Sequence, residues 1–309
     1  MALTDKGRVA CEKMHEMRTM KRVLARMHHA GLAIVIALAA ITGGSTSCAH
    51  TNQSVSPNGM PKTIRVQLPA GTADVDVYWP DATAQAPMVI IAHGFSRHRH
   101  NMSGWGQHLA REGFVAVVPD LPTWSDHARN GRFISELQAY FGASESWKTR
   151  IDATRVGLLG FSAGGLSSLL AAAESPRVAI WVGLDPVDRD GMGARAAAVI
   201  QSRAFVLTAE PSACNAHGNA RSIIAALPRR EHYSVPGASH VDAEWPTSWM
   251  AELVCGRSTE EKRGAFRVRA TKALHEALSV TPLSRAKIPT DQSAYPLHMK
   301  RPENGEQEK

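Results

Sequence analysis

Gly160-Phe161-Ser162-Ala163-Gly164 stands between the apolar run Val156 to Leu159 and the small-residue stretch Leu166 to Ala173. That is the order of strand, sharp turn and helix in which G-x-S-x-G becomes a nucleophile elbow. The glycines have a steric job there. The turn forces the serine backbone into a strained conformation, and side chains beside it would collide with the neighbouring strand or helix. The Ser162 hydroxyl is therefore expected to be held up and exposed.

Compact apolar runs suited to a buried sheet recur on both sides of this turn: Met88 to Ala92, Val115 to Val118, Val178 to Leu184, Ala204 to Thr208 and His232 to Val235. Thr63 to Leu68 and Val75 to Trp79 read as strands of an opening hairpin. Helical patterns lie between most of them, at Gly104 to Glu112, Phe133 to Phe141, Ala163 to Glu174, Ala194 to Ser202 and Asn219 to Leu227. A last long helix, Thr259 to Leu278, carries Phe266, Ala270, Ala273, Leu274 and Ala277 at helical spacing. Such alternation predicts an α/β fold, a mostly parallel sheet covered by helices on both faces.

Outside this region the chain changes character. Lys21, Arg22 and Arg26 precede the apolar run Gly31 to Ile41 and the small-residue segment Thr42 to Ala49, the order of a secretory signal. Residues 1–49 read as a leader, 50–62 as a linker, 63–280 as one α/β domain, and 281–309 as a polar, disordered tail. Export to a periplasmic or extracellular space is the expectation. Association with a membrane would come only through an uncleaved leader or through lipidation of Cys48, whose upstream Ser45-Thr46-Ser47 lacks the usual large aliphatic residue. The net charge of +7 falls to about +3 once residues 1–49 are set aside. No basic stripe with interleaved aromatics remains, so nucleic acid is not an expected partner. Arg97-His98-Arg99-His100 reads as a solvated loop. Past the leader only Cys214 and Cys255 occur, without zinc spacing; in an oxidising compartment they are expected to bridge.

A serine hydroxyl needs a base, and the base an acid to orient it. His240 follows the final strand on Val235-Pro236-Gly237-Ala238-Ser239-His240; His217, the runner-up, comes too early in the strand order. Two positions offer the acid. Asp185, in Gly183-Leu184-Asp185-Pro186-Val187-Asp188, ends the strand after the elbow helix, and Glu210 ends the next strand in Thr208-Ala209-Glu210-Pro211. Both lie at the sheet edge where open α/β folds bind ligands. Asp185 is preferred, Glu210 is the alternative, and Asp188 and Asp190 are further from a strand end. His93-Gly94-Phe95 follows the Met88 to Ala92 strand, and the N–H groups of Phe95 and Ala163 are the predicted oxyanion donors.

From about residue 63 to 279 the chain resembles the α/β-hydrolase superfamily, in particular its chlorophyllase-like, platelet-activating-factor-acetylhydrolase-like and bacterial polyester-hydrolase-like branches. The residues that carry the resemblance are His93-Gly94-Phe95, Trp105 with His108-Leu109-Ala110, Gly113-Phe114-Val115, Pro119-Asp120, the Gly160 to Gly165 segment and Gly237-Ala238-Ser239-His240. A segment similar to Gly183 to Asp188 supplies the acid in chlorophyllases and some lipases, which favours Asp185. Polyester hydrolases would place an Asp after the next strand, and Glu210-Pro211 there counts against that branch.

The resemblance implies an exported serine carboxylesterase that hydrolyses small or polymeric acyl esters with no cofactor and no metal. Catalysis would rest on Ser162, His240 and Asp185. Only about twenty residues separate Asp185 from the next strand, which leaves little or no cap domain. An acyltransferase or amidase with the same triad, or a silent hydrolase fold used for binding, are the rival readings.

Overall fold

Along Ala86–Ala92 successive side chains enter opposite cores, Met88, Ile90 and Ala92 on one face of a sheet and Val89 and Ile91 on the other. A strand buried on both faces is written as a continuous apolar run, and this alternation fixes a three-layer architecture. The computed structural model describes residues 60–81 and 85–278. The leader and the tail read from the sequence lie outside the described residues, as does nearly all of the linker.

The strands are β1 (Lys62–Leu68), β2 (Gly71–Tyr78), β3 (Ala86–Ala92), β4 (Val115–Pro119), β5 (Ile151–Phe161), β6 (Val178–Leu184), β7 (Arg203–Thr208) and β8 (Glu231–Ser234). They form one sheet in the order β1-β2-β4-β3-β5-β6-β7-β8. β1 with β2 and β2 with β4 pair antiparallel, and every later pair is parallel. Lys62, read as the end of a linker, is already the first residue of β1.

The main helices are α1 (Ser103–Arg111), α2 (His127–Ala143), α3 (Ala163–Glu174), α4 (Met192–Val199), α5 (Ala220–Ala226), α6 (Trp249–Cys255) and α7 (Glu260–Leu278). α1 and α7 cover one face, where Trp105, Leu109, Phe266 and Leu274 meet Val89 and Val182. α2 to α5 cover the other, where Phe133, Leu137, Phe141, Leu169, Ala197 and Ile223 meet Val117 and Leu158. Trp105 and Phe266 are fully buried, and truncating either to alanine should cost about 3–5 kcal/mol.

α2 begins six residues before the apolar pattern suggested. Asp126 caps it by accepting from the Arg129 N–H at 2.9 Å, so the polar stretch His127 to Arg132 is helical. This early start brings His127 to the C-terminal edge of the sheet. Between β6 and β7 the chain holds only the eight-residue α4, and no cap domain intervenes there.

Parallel register aligns the strand ends. Ala92 pairs with Gly160, Phe161 with Leu184, Leu184 with Leu207, and Thr208 with Ser234. His93, Ser162, Asp185 and Ala209 thus leave the sheet side by side along one edge, where ligands bind in open parallel folds.

Candidate active site

Ser162 sits at φ 54° and ψ −121°, a conformation that a residue with a Cβ rarely adopts. Its N–H donates to the Leu184 carbonyl at 3.0 Å, and its carbonyl accepts from Gly165 and Val187, so strand, helix and the following loop all hold the turn. A Cβ at Gly164 would overlap the backbone oxygens of Ala92 and His93, which ties the glycine to the close approach of α3 and β3. The elbow is therefore a steric consequence of its two flanking elements.

The Ser162 hydroxyl lies 3.0 Å from His240 Nε2, and His240 Nδ1 lies 2.6 Å from Asp185 Oδ2. With Nδ1–H donating to the carboxylate, Nε2 is left to accept from the serine. All three residues are buried, and the Phe161 ring packs against the imidazole at 4.7 Å between centroids. Asp185 has positive φ (43°) and is held by more than the histidine. Its Oδ1 accepts from the Ala209 N–H at 3.0 Å and its Oδ2 from Asn215 Nδ2 at 3.0 Å.

Asn215 escaped sequence reasoning. It is fully buried, donates also to the Glu210 carbonyl, and accepts from the N–H groups of Ser212 and Gly218. An Asn thirty residues from Asp185 carries no local signal beyond the adjacent Cys214. Cys214 forms a disulfide with Cys255, the last residue of α6, so a covalent link fixes the loop that holds Asp185.

The other candidates fall elsewhere. The exposed Glu210 accepts from the Gly237 N–H at 3.1 Å, bracing the loop of His240 from outside. Asp188 accepts from Gly193 and Ala194 N–H groups at the start of α4 and from Ser222. Asp190 pairs with Arg189 at the surface. His217 has positive φ (57°) on the turn before α5.

The N–H groups of Phe95 and Ala163 donate to no acceptor among the described residues, which leaves both free for an oxygen bound beside Ser162. His93 sets the loop that carries Phe95. Its Nδ1–H donates to the Gly94 carbonyl, and its Nε2 accepts from the Leu121 N–H at 2.9 Å. Burial holds the imidazole below its ordinary pKa, which keeps the neutral form this pair of bonds requires.

Arg97 and Arg99 are only partly exposed and are paired, where the loop reads from the sequence as solvated. Arg99 reaches Asp76 at 3.1 Å and Asp120 at 2.5 Å, and Arg97 reaches the buried Glu244 at 2.6 Å. Carboxylates far away in sequence draw them inward, while His98 and His100 stay more open. Burial raises the Glu244 carboxyl above the usual carboxylate range, against the opposing pull of Arg97. No cluster of metal-ligating side chains occurs among the described residues.

Fold and edge geometry define an α/β-hydrolase. Dienelactone hydrolase from Anabaena variabilis superposes with a TM-score of 0.55 at 17% identity, over 71% of this chain and 99% of that one. The family model described as PET hydrolase-like matches residues 42–252, and the chain belongs to that family. Among its relatives, bis(hydroxyethyl) terephthalate hydrolase of Streptomyces coelicolor is 28% identical over 191 residues, 56% of this chain and 61% of that protein. Cutinase est1 of Thermobifida alba is 27% identical over 113 residues, 36% of this chain and 38% of that protein. The chain thus spans about three fifths of the first relative's length and under two fifths of the second's. The match falls on the polyester-hydrolase branch, against which Glu210 had counted. One loop position after β7 does not outweigh a likeness that runs across the sheet.

Proposed function

We propose that this chain is an exported serine carboxylesterase that hydrolyses accessible acyl esters through a covalent acyl-enzyme. The observation that carries the reading is the relay of Ser162, His240 and Asp185, 3.0 and 2.6 Å apart, beside two undonated N–H groups. Ser162 Oγ attacks the ester carbonyl carbon as His240 Nε2 takes its proton. Asp185 stabilises the imidazolium, and the Phe95 and Ala163 N–H groups hold the developing oxyanion. Collapse of the tetrahedral adduct breaks the carbon–oxygen bond to the alcohol, and His240 returns the proton to that oxygen. Water then attacks the acyl-serine by the same steps and releases the acid.

Access supports accessible esters. Phe95 and Trp124 are exposed beside the serine loop, and no cap stands between β6 and β7. The names of the relatives point to terephthalate and cutin-type esters as substrates to test. Export is supported by the disulfide, since such bonds persist in oxidising compartments.

The test is hydrolysis of p-nitrophenyl acetate, butyrate and octanoate by protein lacking residues 1–49, beside Ser162→Ala. The expected result is turnover in the parent and a loss of at least about a thousandfold in the variant. Equal rates in both would remove the serine from the reaction.

A further inference from the structure

A narrow recess opens beside the serine, walled by Phe95, Leu121, Trp124 and Ala163 and closed by the first turn of α2 and by Ser167. It has room for about one water-sized group. Most of the polar side chains around it are already engaged. His93 uses both ring nitrogens, the Asn130 amide is bonded to Thr123 through both its oxygen and its nitrogen, and the Ser167 hydroxyl donates to the Ala163 carbonyl. His127 differs. It is nine-tenths buried, it lines the recess, and its Nδ1 has no hydrogen-bond partner among the described residues. A buried imidazole nitrogen without a partner is costly unless something that binds there completes it.

The recess also has a definite place in the reaction, given the esterase reading above, on which this step rests. The leaving alcohol must face His240 Nε2 to receive its proton. The recess is lined by both residues proposed to hold the oxyanion but not by His240, so the part of the ester that enters it is the acyl side. Room for a single small group excludes a long acyl chain and admits one substituent next to the carbonyl.

We infer that this recess is an acyl subsite for 2-hydroxyacyl esters, and that His127 is a specificity-determining residue which hydrogen-bonds the 2-hydroxyl of the acyl group. Burial lowers the His127 pKa, and the nearby Arg189 adds to the effect, so at neutral pH the imidazole is uncharged and offers one donor and one acceptor to a hydroxyl. An apolar substituent of equal size would leave that nitrogen unpaired in the complex.

Methyl lactate and methyl isobutyrate test this, because they differ in a hydroxyl against a methyl at the same carbon. Initial rates by pH-stat titration at neutral pH give kcat/KM for each with the parent, His127→Phe and His127→Gln. The lactate-to-isobutyrate ratio should fall about tenfold in His127→Phe, the size expected for one hydrogen bond, and should be partly restored by the hydrogen-bonding His127→Gln. Comparing ratios cancels the intrinsic reactivity of the two esters and any general loss of folded protein. A ratio that stays the same in His127→Phe overturns the subsite while leaving the esterase reading in place. If neither ester is hydrolysed and a fluorophosphonate fails to label Ser162, the esterase reading fails and takes the subsite with it.

Discussion

Arg97 Nε donates to Glu244 Oε1 at 2.6 Å across 147 positions of sequence, joining the loop that carries Phe95 to the loop that carries His240. The two loops stand on either side of Ser162, so the ion pair ties the loop of the Phe95 N–H to the loop of the His240 imidazole. Glu244 has no exposed surface, and its second oxygen has no partner among the described residues. Removing Arg97 would strand a buried carboxylate. Arg97→Ala should cost about 3 kcal/mol in urea unfolding, eased where Glu244 takes up a proton. Glu244→Gln, whose amide oxygen still accepts from Arg97, should cost less. A larger loss in Glu244→Gln than in Arg97→Ala would contradict this account of the pair.

The two candidate acids make opposite predictions. Asp185→Asn should lower kcat by about ten-thousandfold, as expected when a triad histidine is held in the wrong tautomer. Glu210→Gln should leave kcat near the parent's, because that side chain faces the Gly237 N–H and not the imidazole. Steady-state kinetics on p-nitrophenyl butyrate distinguishes them. A severe loss in Glu210→Gln with a mild one in Asp185→Asn would reverse the assignment.

Stability should fall in mild acid. Burial depresses the pKa of His93, and likewise those of His108, His127 and His232, below the ordinary 6.5. Between that value and the depressed ones the unfolded chain binds more protons than the folded protein. Their contribution is therefore fully present above about pH 6.5 and is lost as pH falls through the folded values. Each such histidine contributes at most about 1.4 kcal/mol per pH unit. Glu244, with its pKa raised by burial, acts in the opposite sense: its contribution is lost as pH rises from the ordinary 4.5 through the folded value. Thermal melts between pH 5 and 8 should show a plateau above about pH 6.5 and a decline below it, shallower in His93→Gln. A Tm independent of pH over this range would contradict the sign.

The disulfide closes a separation of 41 residues. Loop-closure entropy assigns it about 4 kcal/mol, so the double variant Cys214→Ser, Cys255→Ser should melt about 10 °C lower. Asn215 adjoins Cys214 and holds Asp185, so kcat should fall as well, beyond what loss of folded protein explains. Unchanged kcat in the folded double variant would separate the bridge from the site.

Much of this arrangement is legible in the sequence because it is local. A parallel strand buried on both faces is a short apolar run, and residues just after such runs collect at one edge. Ser162, Asp185 and Phe95 follow such strands and His240 follows the half-exposed edge strand β8, so their proximity is implied by the topology. What was not legible depends on partners distant in the chain. Arg97 reads as solvated because its carboxylate is Glu244, and Asn215 carries no signal in the sequence because its partner is Asp185. His127 was missed for another reason. The run His127 to Arg132 lacks a dense apolar face, so the cap by Asp126 and not hydrophobic spacing sets the start of α2.

The most direct test of the central claim is intact-mass and peptide analysis of the folded protein after treatment with a fluorophosphonate. One adduct per chain is expected, located on Ser162, absent from Ser162→Ala and formed much more slowly in His240→Ala. No adduct on the folded protein, or an adduct on another residue, would contradict it.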